Sequence, residues 1–157
     1  MKKYLVILIA LVVLLTGCGK KEEEKKFERP KTLGNENNVV IEYKSIAGSV
    51  AGSPTDRIVI YTDKKADIEH TDKISEAENR KRTVILSEKE YQEIIDLAFQ
   101  ERFMTLNNNL TTEQTEGGSV EYITIYYDKT SRKVGGQNIE NETFKKLEKL
   151  IIKLEEK

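Results

Sequence analysis

Residues 58–64 read IVIYTDK, and residues 123–129 read ITIYYDK. In both segments isoleucine recurs at every second position and a polar turn follows, which is typical of a strand that enters a hairpin. A return segment and an amphipathic helix follow each of the two. This recurrence predicts a tandem ββα arrangement, although two unrelated hairpin–helix units would produce the same pattern. Either interpretation predicts an α+β fold, in which an antiparallel sheet carries two amphipathic helices on one face.

The remaining strands are predicted from shorter runs of alternating residues. Val39, Ile41 and Tyr43 alternate with more polar neighbours, which predicts a strand over Val39–Ile46. A run of small residues predicts a loop over Ala47–Pro54. The predicted strands are 39–46, 57–62, 66–69, 82–86, 120–128 and 132–136, with a turn at 129–131 and polar loops at 71–81 and 107–118.

Two amphipathic helices are predicted from their caps and apolar stripes. Ser87 and Glu90 have the spacing of a capping box, and Leu86 and Tyr91 that of a hydrophobic staple. The apolar face of this first helix continues through Phe103, and three asparagines end the segment at 107–109. The second helix is predicted over Glu142–Leu154, with a stripe formed by Phe144, Leu147, Ile151 and Leu154.

Composition excludes several classes of protein. The 157 residues include 26 basic and 27 acidic side chains, so the chain lacks the basic excess that nucleic-acid binding requires. The single cysteine, Cys18, excludes a disulfide framework and a zinc site built on thiolates. No cofactor-binding motif is found, and we expect the protein to bind no cofactor.

The amino terminus has the order of a bacterial lipoprotein signal. Lys2 and Lys3 precede an apolar run, Tyr4–Leu15, whose helical length of about 18 Å is too short to cross a hydrocarbon core of about 30 Å. Residues 15–18, LTGC, resemble the lipobox of bacterial lipoproteins. The resemblance implies cleavage between Gly17 and Cys18, and a lipid on Cys18 that anchors the protein to the extracytoplasmic face of the cell membrane. An ordinary secretory signal, with Cys18 left as a free thiol, is the alternative.

The chain is therefore divided into residues 1–17 as signal peptide, 18–37 as lipidated cysteine and charged flexible tether, and 38–157 as a single α+β domain. Continuous charge without apolar periodicity predicts a solvated spacer for the tether. The order of elements in the domain resembles that of small lipoprotein domains of unknown function. It is more loosely similar to secreted inhibitor modules of the β-lactamase-inhibitor type. This resemblance implies no functional residue.

Catalytic and metal-binding patterns are weak. His70 is the only histidine, and it lies among Asp67, Glu69 and Asp72, which could together bind a divalent cation. The spacing fits neither an EF-hand loop nor a zinc helix, so a solvated acidic turn without metal is the favoured interpretation. A Ser–His–acid site would need His70 as its base, with Ser45, Ser49, Ser53 or Ser75 as nucleophile, and the context of a nucleophile elbow is missing.

Tyrosine provides the candidate binding face. Tyr122 and Tyr126 lie on the same side of one predicted strand, and Tyr61 joins them if the repeat is real. Opposite the helices, these rings would form an exposed patch suited to protein or glycan contact; otherwise they cover the sheet or line the core. We therefore expect a non-enzymatic binding module whose partner is an envelope protein or a cell-wall component. An inhibitor or immunity-type lipoprotein is the alternative, and an enzyme that uses His70 is the third class.

Overall fold

The computed structural model describes residues 28–48 and 52–157. The predicted signal peptide, Cys18 and most of the predicted tether lie outside the described residues. The strands are β1 Val39–Ile46, β2 Thr55–Tyr61, β3 Lys65–Thr71, β4 Arg80–Ile85, β5 Val120–Tyr127 and β6 Thr130–Gly136. The helices are α1 Glu88–Ala98, α2 Glu101–Met104 and α3 Glu142–Ile152, and 3₁₀ turns occur at Glu76–Glu78 and Lys153–Glu156.

The six strands form one open antiparallel sheet in the order β4-β3-β2-β1-β5-β6. β1 is central, and the hairpins β2-β3 and β5-β6 lie on either side of it. Strands β4 and β6 are therefore the two edges of the sheet. This architecture of antiparallel sheet and helices confirms the predicted α+β class.

Strand side chains alternate between a buried side of the sheet and a polar side. Tyr43 of β1 lies opposite Ile58 on one neighbour and Ile123 on the other, and all three are buried. These residues belong to one hydrophobic cluster that also contains residues of α1, α2 and α3. We call this side of the sheet the core side and the opposite one the polar side.

Helix α1 begins as the sequence predicts but ends earlier. The Ser87 hydroxyl accepts a hydrogen bond from the Glu90 backbone N–H at 3.3 Å, and the Glu90 carboxylate accepts one from the Ser87 N–H at 2.9 Å, which confirms the capping box. Gln100 then adopts an extended conformation and separates α1 from α2. The prediction of one uninterrupted helix is therefore wrong, and the break turns Phe103 into the core.

The second helix and the hairpin before it also differ in detail from their predictions. The Asn141 side chain caps α3 by accepting from the backbone N–H groups of Thr143 and Phe144 at 3.0 and 3.1 Å. The hairpin turns at Asp128 and Lys129, both with positive φ, which is the type I′ geometry. Residues 130 and 131 therefore belong to β6 rather than to the turn predicted at 129–131.

Candidate functional site

The three candidate tyrosines all lie on the polar side of the sheet. Tyr122 is opposite Lys44 of β1, and Tyr126 follows on the same side of β5. Tyr61 ends β2, with its hydroxyl bonded to Asp67 across the hairpin. The three residues therefore share one surface. Because each ring is partly buried, together they do not form an exposed apolar patch.

Two of the three phenols donate hydrogen bonds to carboxylates. The Tyr126 hydroxyl donates to Glu42 Oε2 at 3.0 Å, and the Tyr61 hydroxyl donates to Asp67 Oδ2 at 3.1 Å. Burial and then the hydrogen-bonded carboxylate raise the pKa of each phenol above its ordinary value. Both groups therefore stay protonated at neutral pH, as hydrogen-bond donors with fixed orientation.

A row of charged side chains crosses the sheet from Tyr126. Arg57 of β2 contacts Glu42 Oε1 through Nε at 2.6 Å and Glu69 Oε2 through Nη1 at 3.1 Å. Lys81 of β4 bonds the other oxygen of Glu69. The polar ladder, Tyr126-Glu42-Arg57-Glu69-Lys81, thus joins five strands in one hydrogen-bonded chain.

Proton affinities within the ladder reflect this pairing. The hydrogen bond from Lys81 is the largest influence on Glu69 and keeps the pKa of this carboxyl below its ordinary value. Burial lowers the pKa of Arg57, but its bonds to Glu42 and Glu69 outweigh burial and leave that pKa raised. The ladder therefore presents paired charges, and a ligand would exchange contacts with them instead of meeting isolated ions.

Tyr122 has a different environment from the other two tyrosines. The Lys133 ammonium lies 3.7 Å from the centre of its ring, in the geometry of a cation–π contact. The ring also lies against Gly135 of β6, where an added Cβ would come within 2.6 Å of Tyr122 Cδ1. Gly135 thus lies closer to β5 than a residue with a Cβ could, and the tyrosine fills the space that the glycine leaves.

Val59 shows how closely the polar side is covered. Its side chain points away from the core side, yet it is only 1% exposed. Glu42 and Asp67 are its cross-strand neighbours. Long polar side chains must therefore lie over this part of the sheet, which gives it a surface of mixed charge.

The segments predicted as loops over 47–54 and 107–118 both join the sheet at the same end. Ile46 ends β1 opposite both Thr55 of β2 and Val120 of β5. A Cβ placed on Gly48 would lie 3.6 Å from the Gly117 carbonyl oxygen, so loops 47–54 and 107–118 are adjacent. Residues 49–51 lie outside the described residues. We call this end the loop end.

The chain enters the domain at the opposite end, which we call the entry end. Leu33 forms a β-bridge with Tyr127, and the Thr32 N–H donates to Asp128 Oδ1 at 2.8 Å. Arg29 pairs with Asp96 of α1 at 2.9 Å. Residues 29–34, predicted as part of the tether, thus contact the domain about 24 Å along β5 from the loop end.

The possible cation site around His70 is not assembled. Residues 65–71 form a strand, so the predicted acidic turn is wrong, and alternation sends Asp67 and Glu69 to the polar side and His70 to the core side. His70 Nδ1 lies 2.6 Å from Asp56 Oδ1. Within residues 28–48 and 52–157, no group of three or more His, Cys, Asp or Glu side chains could hold a metal ion.

The residues of the hypothetical Ser–His–acid site are also not arranged as in a catalytic triad. Ser45, Asp56 and His70 are successive cross-strand neighbours on β1, β2 and β3. The acid thus lies between the serine and the histidine, whose backbones are about 10 Å apart. In a Ser–His–acid triad, the histidine must occupy the middle position.

Sequence analysis missed a polar cluster at the margin of the core. Lys145 contacts Glu121 Oε2 and Glu148 Oε2, both at 2.9 Å. Glu148 is 5% exposed, and its Oε1 has no hydrogen-bond partner among the described residues. Burial raises the pKa of Glu148 above its ordinary value. The position of Glu148 in the sequence could have revealed this cluster, because Glu148 follows Phe144 by one helical turn and shares its buried face.

Comparison with known proteins gives no family: no protein-family model matches the chain, and no curated protein is similar to it. None of the helices in the described part of the chain is both long and apolar enough to cross a membrane. Any function is therefore inferred from the residues and their geometry.

Proposed function

We propose that this chain is a lipoprotein, held on the extracytoplasmic face of the cell membrane by lipid on Cys18, and that its folded domain is a non-enzymatic binding module. The proposed partner is an envelope protein or a component of the cell wall. The observation that carries this proposal is the separation between the entry end, which receives the chain from the anchor, and the loop end about 24 Å away.

The anchor is supported by the sequence alone. A basic start, a short apolar run and LTGC occur in the order that lipoprotein signal peptides require. Two or more acyl chains, each contributing about 0.8 kcal/mol per buried CH₂ group, would hold the domain stably at a membrane. Attachment through residues 28–34 would leave the loop end facing away from the membrane.

Site-specific photocrosslinking on cells tests the binding role. A photoreactive residue at Glu116, exposed in a loop-end segment, should capture a specific partner. The matched control is the same photoreactive residue at Lys129, which is also exposed but lies at the entry end. Capture from position 116 alone supports the proposal. Equal capture from both positions, or thermal stabilisation by a small solute with no protein or wall capture, contradicts it.

Lipidation has an independent test. Labelled palmitate should enter the wild-type protein and be absent from Cys18→Ala, because that substitution removes the only thiol in the chain. Persistence of label in the variant contradicts lipid attachment at Cys18. Release of an unlabelled, secreted domain from the wild type would favour the ordinary secretory signal.

The alternative function is an inhibitor or immunity-type lipoprotein that blocks an enzyme, a toxin or a phage component at the envelope. The adjacency of Gly48 and Gly117 favours it, because two neighbouring loops can enter a target cleft together. If the partner captured at Glu116 is an enzyme, the purified domain should lower its activity. Binding without inhibition would leave the binding module as the better description.

The finer architecture is part of the same proposal: α1 and α3 both cover the core side, and the two hairpins with their helices are a tandem repeat. Ile58 and Ile123 both face Tyr43, which supports equivalent positions for the two hairpins about β1. Strand β4 interrupts the first unit and has no counterpart in the second. Nuclear Overhauser contacts from Ile94 or Leu147 to Val59 on the polar side would contradict this arrangement.

A further inference from the structure

Strand β4 is the edge at which the backbone ladder ends. The Leu86 N–H donates to the Lys64 carbonyl at 2.9 Å, which fixes the phase of the β3–β4 ladder. Because hydrogen-bonded and non-hydrogen-bonded pairs alternate in an antiparallel ladder, the even-numbered residues of β4 bond to β3. The backbone N–H and C=O groups of Lys81, Thr83 and Ile85 therefore point away from the sheet.

These outward groups are free in the part of the chain that the structure describes. None of the described residues forms a backbone or side-chain hydrogen bond with the main chain of Lys81, Thr83 or Ile85. Most of the strand is exposed, and Ile85 is 74% exposed. A strand edge in this state is a template to which an extended chain can add by main-chain hydrogen bonds.

The charged residues of β4 indicate which kind of extended chain could bind to this edge. Its first three residues are Arg80, Lys81 and Arg82, and its last two are Val84 and Ile85. A cavity of about 460 Å³ opens beside the basic half; its lining is of mixed charge, with Arg80, Lys81, Arg82 and His70 on one hand and Asp56, Glu69 and Glu155 on the other. Lys81 is already paired with Glu69, but neither Arg80 nor Arg82 forms an ion pair within the described residues. These two charges repel another basic edge and attract a strand of opposite sign.

We propose that the β4 edge binds an extended acidic segment of a protein partner as a seventh, antiparallel strand. In this orientation the apolar start of the segment lies beside Ile85 and Val84, and its acidic end lies beside Arg82, Lys81 and Arg80. This proposal rests on the role of the domain as a binding module and gives the chemistry of one contact.

A synthetic peptide tests the proposal directly. The probe is a labelled peptide of sequence VITEEE, blocked at both termini, whose residues would lie opposite residues 85 to 80 in turn. Its third and fifth amide N–H groups would donate to β4, and its second and fourth would point outward. Methylation of the third and fifth amides should weaken binding about tenfold or more, because two hydrogen bonds are lost. Methylation of the second and fourth is the matched control and should have little effect.

The matching protein variants are Thr83→Pro and Thr83→Ala. Both remove the bond from the Thr83 hydroxyl to Asp67, but only proline removes the N–H that faces the free edge. We expect Thr83→Pro to weaken binding of the peptide about tenfold and Thr83→Ala to leave it nearly unchanged. Proline at an outward-facing edge position should leave the β3–β4 ladder intact, as circular dichroism can verify.

Three outcomes overturn the proposal. The first is no binding at a peptide concentration of about 1 mM. The second is binding that both methylated peptides and Thr83→Pro retain, which would indicate charge attraction alone. The third is a dimer in sedimentation that Thr83→Pro dissociates, which would assign the edge to a second copy of the chain. Undiminished capture from Glu116 in the intact Thr83→Pro protein would keep the binding-module proposal while the edge proposal fails.

Discussion

Both edge strands, β6 and β4, direct backbone N–H and C=O groups away from the sheet, but within the described residues only β6 has such groups bonded by another segment. The Gly135 N–H donates to the Asn108 carbonyl at 3.1 Å, and its carbonyl accepts from the Leu110 N–H at 2.8 Å. Strand β4 receives no such segment from the described part of the chain. Within residues 28–48 and 52–157, the chain thus covers one end of the β6 edge with its own loop, whereas the β4 edge has no such cover.

The difference between the two edge strands indicates what allows a segment of the same chain to cover an edge. Segment 108–110 forms a parallel bridge to Gly135. At the next residue, Gly136, an added Cβ would lie 2.7 Å from the Thr111 backbone nitrogen, so this part of the edge has room for the segment only because a glycine is present. Arg132 holds the start of this segment through a hydrogen bond to the Leu106 carbonyl. Strand β4 contains no glycine, and three of its six residues are basic. Within the described residues, only the β6 edge thus has both a covering loop and the glycines that let it approach.

The largest effect is expected from closing the space at Gly135. In Gly135→Ala, the new Cβ would meet Tyr122 Cδ1 at 2.6 Å and the Glu121 carbonyl still more closely. We expect the free energy of unfolding to fall by about 3 kcal/mol, measured by urea denaturation. The control is Gly117→Ala, which has open space but a φ of +76° and should cost about 1 kcal/mol. Equal losses in the two variants would contradict the steric explanation.

A smaller effect should come from loosening the covered edge. Arg132→Met removes the hydrogen bond to the Leu106 carbonyl, but it also removes Nε, which is buried without a partner among the described residues. We expect a net loss of about 1.5 kcal/mol. Amide exchange at Leu110 and Gly135 should become faster, while exchange at Leu86, at the opposite edge of the sheet, stays unchanged. Faster exchange at all three sites would indicate global destabilisation instead.

The parts of the fold that could be predicted are those that a local sequence pattern specifies. Strand β1 was predicted with its observed bounds, because alternation and a following run of small residues define it. The break at Gln100 was missed since apolar residues continue through Phe103 and periodicity alone does not reveal it. The turn at Asp128 and Lys129 was placed one residue late because neither residue is a glycine, although both have positive φ.

For the candidate site, the common face of Tyr122 and Tyr126 followed from their spacing along one strand. The polar ladder that starts at Tyr126 could not be predicted in the same way. Contact between Arg57 and Glu69, for example, depends on the register of β2 against β3, which no local pattern specifies. The covering of β6 by segment 108–110 is likewise a contact between distant parts of the chain.

The C-terminal end of the open edge depends on the cap of α1. Ser87 follows Leu86, whose N–H makes the final bond of the β3–β4 ladder. Ser87→Ala removes the hydroxyl that accepts from the Glu90 N–H and should cost about 1 kcal/mol. Amide exchange at Leu86 should accelerate, with Leu110 unaffected. If the two amides respond equally, the cap does not specifically stabilise the end of β4.

The smallest expected effect is the pH dependence of the same cap. Hydrogen bonds from Lys157 and then from Ser87 lower the pKa of Glu90 from 4.5 to about 2. A carboxyl whose pKa is lower in the folded state stabilises the fold above the unfolded pKa, and this contribution is lost as pH falls from about 4.5 through about 2. Because the Glu90 side chain is 38% exposed, solvent screening limits the effect to about 0.5 kcal/mol.

Glu90→Gln should therefore be less stable than the wild type at neutral pH, and the two should converge near pH 2. Urea denaturation across this range measures the difference. Glu93→Gln, on the exposed surface of the same helix, controls for the loss of one negative charge. A stability difference that stays constant down to pH 2 would mean that the neutral amide, and not the lost ionisation, destabilises the cap. In that case the end of the open edge is fixed by hydrogen bonding alone and does not respond to acid.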